Sequence, residues 1–167
     1  PIELIAKKCG RTVEDTQRVI DQLAGAGIVR TGEGEYAIFG VGGQPHGGSV
    51  DPLSCDVHES GTTCRLLTAV LAAGMGRFRV HGAPRMHERP IGELTAALET
   101  LGVSFTFEGK PEFPPFVLKT CGLDGGEVGI GMDESSQYLS GVLLAAPLAR
   151  APLTVNIGGS KVVSWPY

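Results

Sequence analysis

Four short clusters carry the chemistry in this sequence. Asp133-Glu134-Ser135-Ser136-Gln137 lies between the glycine-rich Gly129-Ile130-Gly131 and an apolar run, Tyr138, Leu139, Val142 and Leu143, at helical spacing. The hydroxyls and the amide therefore fall at the N-cap and first turn of a helix. There the first backbone N–H groups lack partners and the helix dipole favours negative charge. Such a start can hold a phosphate. It can equally be an ordinary cap, because serine before an apolar run is a common way to begin a helix. A second start of the same make, Ser60-Gly61-Thr62-Thr63, shifts that balance. Gly61 would let a ligand approach the backbone closely. Two loops complete the set: Arg85 to Arg89 before Pro90, and Ser164 before Pro166. Brought to one cleft, these groups would grip phosphate and carboxylate, with arginine able to bind in bidentate fashion. No nucleophile–base pair stands out among them.

The other polar candidates point elsewhere. His46, His58, His81 and His87 have no ligand spacing, and His87 reads as a solvated loop residue. Cys9, Cys55, Cys64 and Cys121 are widely spaced, so free thiols are expected and no metal. Residues 40–52 are rich in glycine, but no Lys-Ser or Lys-Thr follows to make a phosphate-binding P-loop. A surface connection is the expectation there. The 167 residues are 42% apolar and 19% charged, enough for a globular domain with a core. A net charge of −4 argues against broad attraction to nucleic acid or membrane. No apolar run approaches a bilayer span and no signal-peptide pattern opens the chain, so a cytoplasmic location is expected.

These clusters need elements to position them. Residues 2–6 read as a short strand. Thr12 to Ala26 reads as a helix, with Thr12 as cap and Asp15 three residues on. Residues 28–31 and 36–39 flank Gly32-Glu33-Gly34-Glu35 as a hairpin. The helix opening at Ser60 carries Leu67, Val70, Leu71 and Gly74 on one face. A strand with alternating Arg77 and Arg79 follows, both facing water. Pro90 suits the first turn of the next helix, whose stripe is Ile91, Leu94, Leu98 and Leu101. Strands follow at 103–107, 115–119 and 127–131. The helix at 136–148 and a strand at 153–157 complete the pass.

The order repeats. Leu23-Ala24-Gly25-Ala26-Gly27-Ile28 corresponds to Leu98-Glu99-Thr100-Leu101-Gly102-Val103 at an offset of 75. Thr62 and Ser136 lie 74 apart, and Pro90 and Pro166 lie 76 apart. The fold class expected is α/β (α+β), built from βαβαββ units of about 75 residues. The chain divides into an incomplete unit at 1–52, a complete one at 53–120 and an incomplete one at 121–167. On this division the chain is a fragment of one domain, truncated at both ends, and its uncovered apolar surface favours self-association.

The motifs in order, Ser60-Gly61-Thr62-Thr63-Cys64-Arg65, Pro84-Arg85-Met86-His87-Glu88-Arg89-Pro90, Ser135-Ser136-Gln137-Tyr138-Leu139 to Ala145-Ala146-Pro147, and Ser164-Trp165-Pro166-Tyr167, resemble the 5-enolpyruvylshikimate-3-phosphate synthases. The likeness is strong over 59–167 and a matter of pattern over 11–40. The related UDP-N-acetylglucosamine enolpyruvyltransferases carry a reactive cysteine in their loop, and none lies between Arg85 and Pro90. The resemblance implies an inside-out α/β domain with its helices packed inward. It implies transfer of the carboxyvinyl group of phosphoenolpyruvate to the 5-hydroxyl of shikimate 3-phosphate, releasing phosphate, without metal or organic cofactor.

Carried over by position, Ser135, Ser136 and Ser164 hold the phosphate of shikimate 3-phosphate, and Tyr167 lies against that substrate. Gln137 reaches between the two substrates. Arg89 and Gly61 face phosphoenolpyruvate, Thr62 supports that loop, and Arg65 is a structural anchor. Arg89 and Gln137 are the implied catalytic residues. The family's Lys-Ser segment and its second domain, which bring further catalytic groups, lie outside these residues. Trp165 stands where the family usually has Lys, and Glu59 where Asn or Ala is common. Two other readings stay open: a non-catalytic anion-binding repeat module, and a purely structural repeat.

Overall fold

The computed structural model describes residues 2–10, 12–18, 29–31, 36–38 and 41–159. They belong to two compact units, Pro1–Gly42 and Gly43–Tyr167.

The first unit begins with α1 (Ile2–Cys9). The expected strand at 2–6 is therefore helix. Ile2, Ile5 and Ala6 share one helical face, and Ala6 is buried. Glu3 in the first turn and Lys7 and Lys8 in the last complement the helix dipole. Residues 13–18 form α2, and the Asp15 amide donates to the Thr12 hydroxyl at 3.0 Å, as the capping pattern requires. Residues 19–26, the rest of that expected helix, lie outside the described residues. β1 (Val29–Thr31) and β2 (Tyr36–Ile38) pair antiparallel, with Thr31 opposite Tyr36.

The second unit positions the site. β3 (Leu53–Asp56) leads into α3 (Gly61–Ala72) and then β4 (Met75–His81), which lies parallel to β3. After α4 (Gly92–Thr100) come β5 (Ser104–Phe107) and β6 (Phe116–Cys121), giving the sheet order β3-β4-β6-β5. β7 (Gly126–Gly131), α5 (Gln137–Ala145) and β8 (Leu153–Gly158) repeat the parallel strand–helix–strand pattern in a separate two-stranded sheet. The glycine-rich loop is stitched along β4: Gly47 donates to the Met75 carbonyl at 2.8 Å and Gly48 to that of Arg77 at 3.0 Å.

Strand alternation sorts β4 cleanly. Phe78 and Val80 are fully buried opposite Leu118 and Phe116, while Arg77 is exposed and Arg79 pairs with Glu108 at 2.7 Å. Ile91, Leu94, Leu98 and Leu101 are buried, as their spacing predicts. On α3 the buried face is instead Cys64, Thr68, Ala69, Leu71 and Ala72, with Leu67 and Val70 only half-buried. Small residues win that face because α3 packs closely on α5. A side chain at Gly141 would press on the Ala69 methyl and the Arg65 carbonyl, each 3.2 Å from its Cβ. The threonines on this side are satisfied: Thr68 donates to the Cys64 carbonyl and Thr120 to that of Ala72, both at 2.6 Å. On α5, Tyr138, Gly141, Val142 and Ala145 face in, whereas Leu143 and Leu144 face out.

Candidate functional site

The two helix starts use their hydroxyls differently. Ser60 adopts the extended conformation of an N-cap, and its hydroxyl accepts from the Thr63 amide at 3.2 Å and from the Thr63 hydroxyl at 2.7 Å. At α5 the N-cap is Ser136, whose backbone is already helical and whose side chain makes no cap bond. The buried Ser135 hydroxyl instead accepts from the Gln137 amide at 3.2 Å. One start closes on itself. The other leaves a serine hydroxyl uncommitted at a helix N-terminus.

Gln137 ties the two starts together. Its amide nitrogen donates to the Thr62 hydroxyl at 2.8 Å, and its amide oxygen accepts from Arg65 at 2.9 Å. Thr62 and Gln137, 75 residues apart, are thus in direct contact. Arg65 also lies over the Tyr138 ring, 5.2 Å from its centroid.

The arginine loop joins them. Residues Pro84–Glu88 form a 3-10 turn, closed by the Arg89 amide on the Met86 carbonyl at 3.1 Å. Arg89 is extended, as a residue before proline must be. Pro90 lies just ahead of α4, whose N-cap is Ile91, rather than within its first turn. The Arg89 guanidinium rests against Gly61, where any Cβ would displace it. The expected opening over Gly61 is filled by this arginine, which brings it to the α3 start. Gly61, Arg65, Arg89 and Pro90 line one narrow crevice. Arg85 is exposed.

A family model described as EPSP synthase (3-phosphoshikimate 1-carboxyvinyltransferase) matches residues 11–167. The chain belongs to the EPSP synthase family. It is 41% identical to the 3-phosphoshikimate 1-carboxyvinyltransferase of Marinomonas sp. (strain MWYL1), covering 92% of this chain and 36% of that protein. The enzyme of the same name from Nitrosomonas europaea is 40% identical, with 92% and 35% covered. The chain therefore spans about a third of the length of these curated relatives. A solved structure of EPSP synthase from Acinetobacter baumannii shares the fold, with a TM-score of 0.66 at 24% identity over 89% of this chain and 33% of that one. The fold is the mixed helix-and-sheet fold of the EPSP synthases.

Of the residues expected at an EPSP synthase site, the structure brings together Gly61, Thr62, Arg89 and Gln137, with Ser135 and Ser136 at the same helix start as Gln137. Ser164 and Tyr167 lie outside the described residues. Arg65 acts on Gln137 as an anchor. Glu59 is exposed. His87 is half-buried with its Nε2 unpartnered, not the solvated loop residue expected. Burial pushes the thiols of Cys55 and Cys64 up to about 11, so both stay protonated at neutral pH.

Behind Pro90 lies an acidic cavity of about 230 Å³, lined by Gly92, Glu93, Ala96, Glu112 and Glu134. Burial, then the charges of Glu134 and Asp133, hold the Glu93 carboxyl above its ordinary range. Among the described residues no group of three or more His, Cys, Asp or Glu could hold a metal ion, and no helix is long and apolar enough to cross a membrane.

Sequence reasoning passed over Tyr138. It is fully buried, and its hydroxyl donates to the Pro90 carbonyl at 2.8 Å and toward Glu134 at 3.1 Å. Its helical spacing marked it only as core. A phenol in an otherwise aliphatic stripe was the available signal, since a buried hydroxyl needs a partner.

Proposed function

We propose that this chain supplies part of the active site of a 3-phosphoshikimate 1-carboxyvinyltransferase. The enzyme transfers the carboxyvinyl group of phosphoenolpyruvate to the 5-hydroxyl of shikimate 3-phosphate. The observation that carries the reading is the Gln137 amide, held between Thr62 and Arg65 beside Arg89. A helix start suited to phosphate and an arginine suited to a second anion then share one place.

In this reading the Ser135 and Ser136 hydroxyls hold the phosphate of shikimate 3-phosphate, and Ser164 and Tyr167 join them on the resemblance alone. Arg89 faces phosphoenolpyruvate, with Gly61 and Thr62 shaping that end. Chemistry begins with addition: the enol carbon takes a proton while the 5-hydroxyl oxygen bonds to the adjacent carbon and loses its own. Elimination then returns a proton from the methyl group and releases phosphate. Arg89 and Gln137 stabilise and orient the anions. The proton-transfer groups belong to the Lys-bearing segment and second domain implied by the family. No cofactor is required.

The units 1–52, 53–120 and 121–167 are read as successive βαβαββ repeats with helices inward, supported by the contact between Thr62 and Gln137 at one repeat spacing. The outward Leu143 and Leu144 support self-association of this polypeptide. A cytoplasmic location fits a soluble biosynthetic enzyme.

Titrating the 167-residue chain with shikimate 3-phosphate, followed by amide NMR, tests the reading. Shifts concentrated at residues 134–138, 164 and 167 are expected, and their absence would remove it. A non-catalytic anion-binding module is the second reading, favoured by the lack of a nucleophile–base pair among the described site residues. Under it, inorganic phosphate alone would produce the same shifts and phosphoenolpyruvate would add none.

A further inference from the structure

We infer that Tyr138 is a positioning residue for Arg89: it fixes the Arg89–Pro90 segment to the helix that carries Ser135, Ser136 and Gln137. The inference rests on the proposed function only for its consequence in substrate binding.

Among the described residues, three hydrogen bonds on the amides of Arg89 and Ile91 and the carbonyl of Pro90 hold the segment. The Arg89 amide donates to Met86 at 3.1 Å and the Ile91 amide to Glu112 at 2.9 Å, both on the backbone. The third is the Tyr138 hydroxyl on the Pro90 carbonyl at 2.8 Å, from a side chain on α5. Pro90 has no N–H of its own, so its carbonyl is the one backbone group through which that residue can be gripped. Tyr138 is fully buried. Its ring is held from one side by Arg65, which also holds Gln137. The hydroxyl's single proton is shared between Pro90 and Glu134 at 3.1 Å. Burial pushes the phenol up to about 12, with Arg65 opposing and Glu134 adding, so it remains a donor at neutral pH. A phenylalanine would fill the same apolar space. The oxygen is therefore surplus to packing, and what it adds is a fixed distance between the α5 start and the peptide that follows Arg89.

The test is a double-mutant cycle on the 167-residue chain, with phosphoenolpyruvate and shikimate 3-phosphate titrated separately. Tyr138→Phe is expected to weaken phosphoenolpyruvate about threefold to tenfold, the range of one lost hydrogen bond, and to leave shikimate 3-phosphate unchanged. In an Arg89→Lys background the same change should cost nothing further. 4-Aminophenylalanine at 138, which restores an N–H donor, should restore binding. An equal loss in both backgrounds, or no loss in either while Arg89→Lys alone weakens binding, overturns the inference. If Arg89→Lys leaves phosphoenolpyruvate affinity unchanged, or wild type binds none, the proposed role of Arg89 fails. The positioning is then judged by the Arg89 Nε–Hε NMR signal. That signal should shift or broaden in Tyr138→Phe and return with 4-aminophenylalanine; an unmoved signal rejects it.

Discussion

The starts of α3 and α5 are nearly interchangeable as sequences and different as sites. Ser60 spends its hydroxyl on Thr63 and closes the α3 start. Ser136 makes no cap bond, so the α5 start keeps a serine hydroxyl for something else, while its Gln137 amide is taken up by the Ser135 hydroxyl. The surroundings differ too. Arg89 rests on the α3 start at Gly61, whereas Asp133, Glu134 and Glu93 gather near the α5 start. A serine before an apolar run therefore does not say whether it caps or binds. The backbone angle at the cap residue decides, because a serine already helical cannot reach back to its own first turn.

The largest expected effect separates the two starts directly. Ser135→Ala with Ser136→Ala should remove two hydrogen bonds to a charged group, about 1.5–3 kcal/mol each. Calorimetry with shikimate 3-phosphate should show at least a hundredfold loss, and unchanged affinity would reduce α5 to an ordinary cap. Next comes the arginine loop. Arg89→Lys keeps the charge and loses the planar fork, so phosphoenolpyruvate affinity should fall by about 1–2 kcal/mol. Arg85→Lys, at an exposed position, should change little. A larger effect at Arg85 would mean that the wrong arginine has been set against Gly61.

Ser60→Ala should behave in the opposite way to the α5 serines. It should cost about 1 kcal/mol of stability in denaturant unfolding, with shikimate 3-phosphate affinity unaltered. Loss of affinity without loss of stability there would erase the distinction between the starts.

The smallest effect concerns the carboxylates. Glu93 has its folded value raised above the ordinary 4.5, so its favourable contribution is present below 4.5 and is lost as pH rises through the folded value. Glu93→Gln should therefore raise the melting temperature at pH 7 by a degree or two at most (about a few tenths of a kcal/mol). That gain should vanish in melts below pH 4.5. A gain that persists in acid would point to packing rather than charge.

Much of this was legible in the chain. The stripe Ile91, Leu94, Leu98 and Leu101, the alternation of β4 and the serine-rich helix starts follow from periodicity, because a helix and a strand each bury one face at a fixed period. The family followed from motifs in order, and the family model matching residues 11–167 agrees with them. Three things did not follow. Residues 2–6 were too short a run for periodicity to separate strand from helix, and the helix from Ile2 to Cys9 with Ala6 buried is a finding of the structure alone. Leu67 and Val70 lost the buried face of α3 to Cys64, Thr68 and Ala69, because the closeness of α5 at Gly141 requires small side chains around Ala69. The placing of Arg89 over Gly61, of Gln137 between Thr62 and Arg65, and of the Tyr138 hydroxyl on Pro90 joins residues between 28 and 75 positions apart. Residue types and local spacing set which groups are available. Which of them touch is decided by helix packing, where side-chain volume and unmet hydrogen bonds across distant segments are balanced at once.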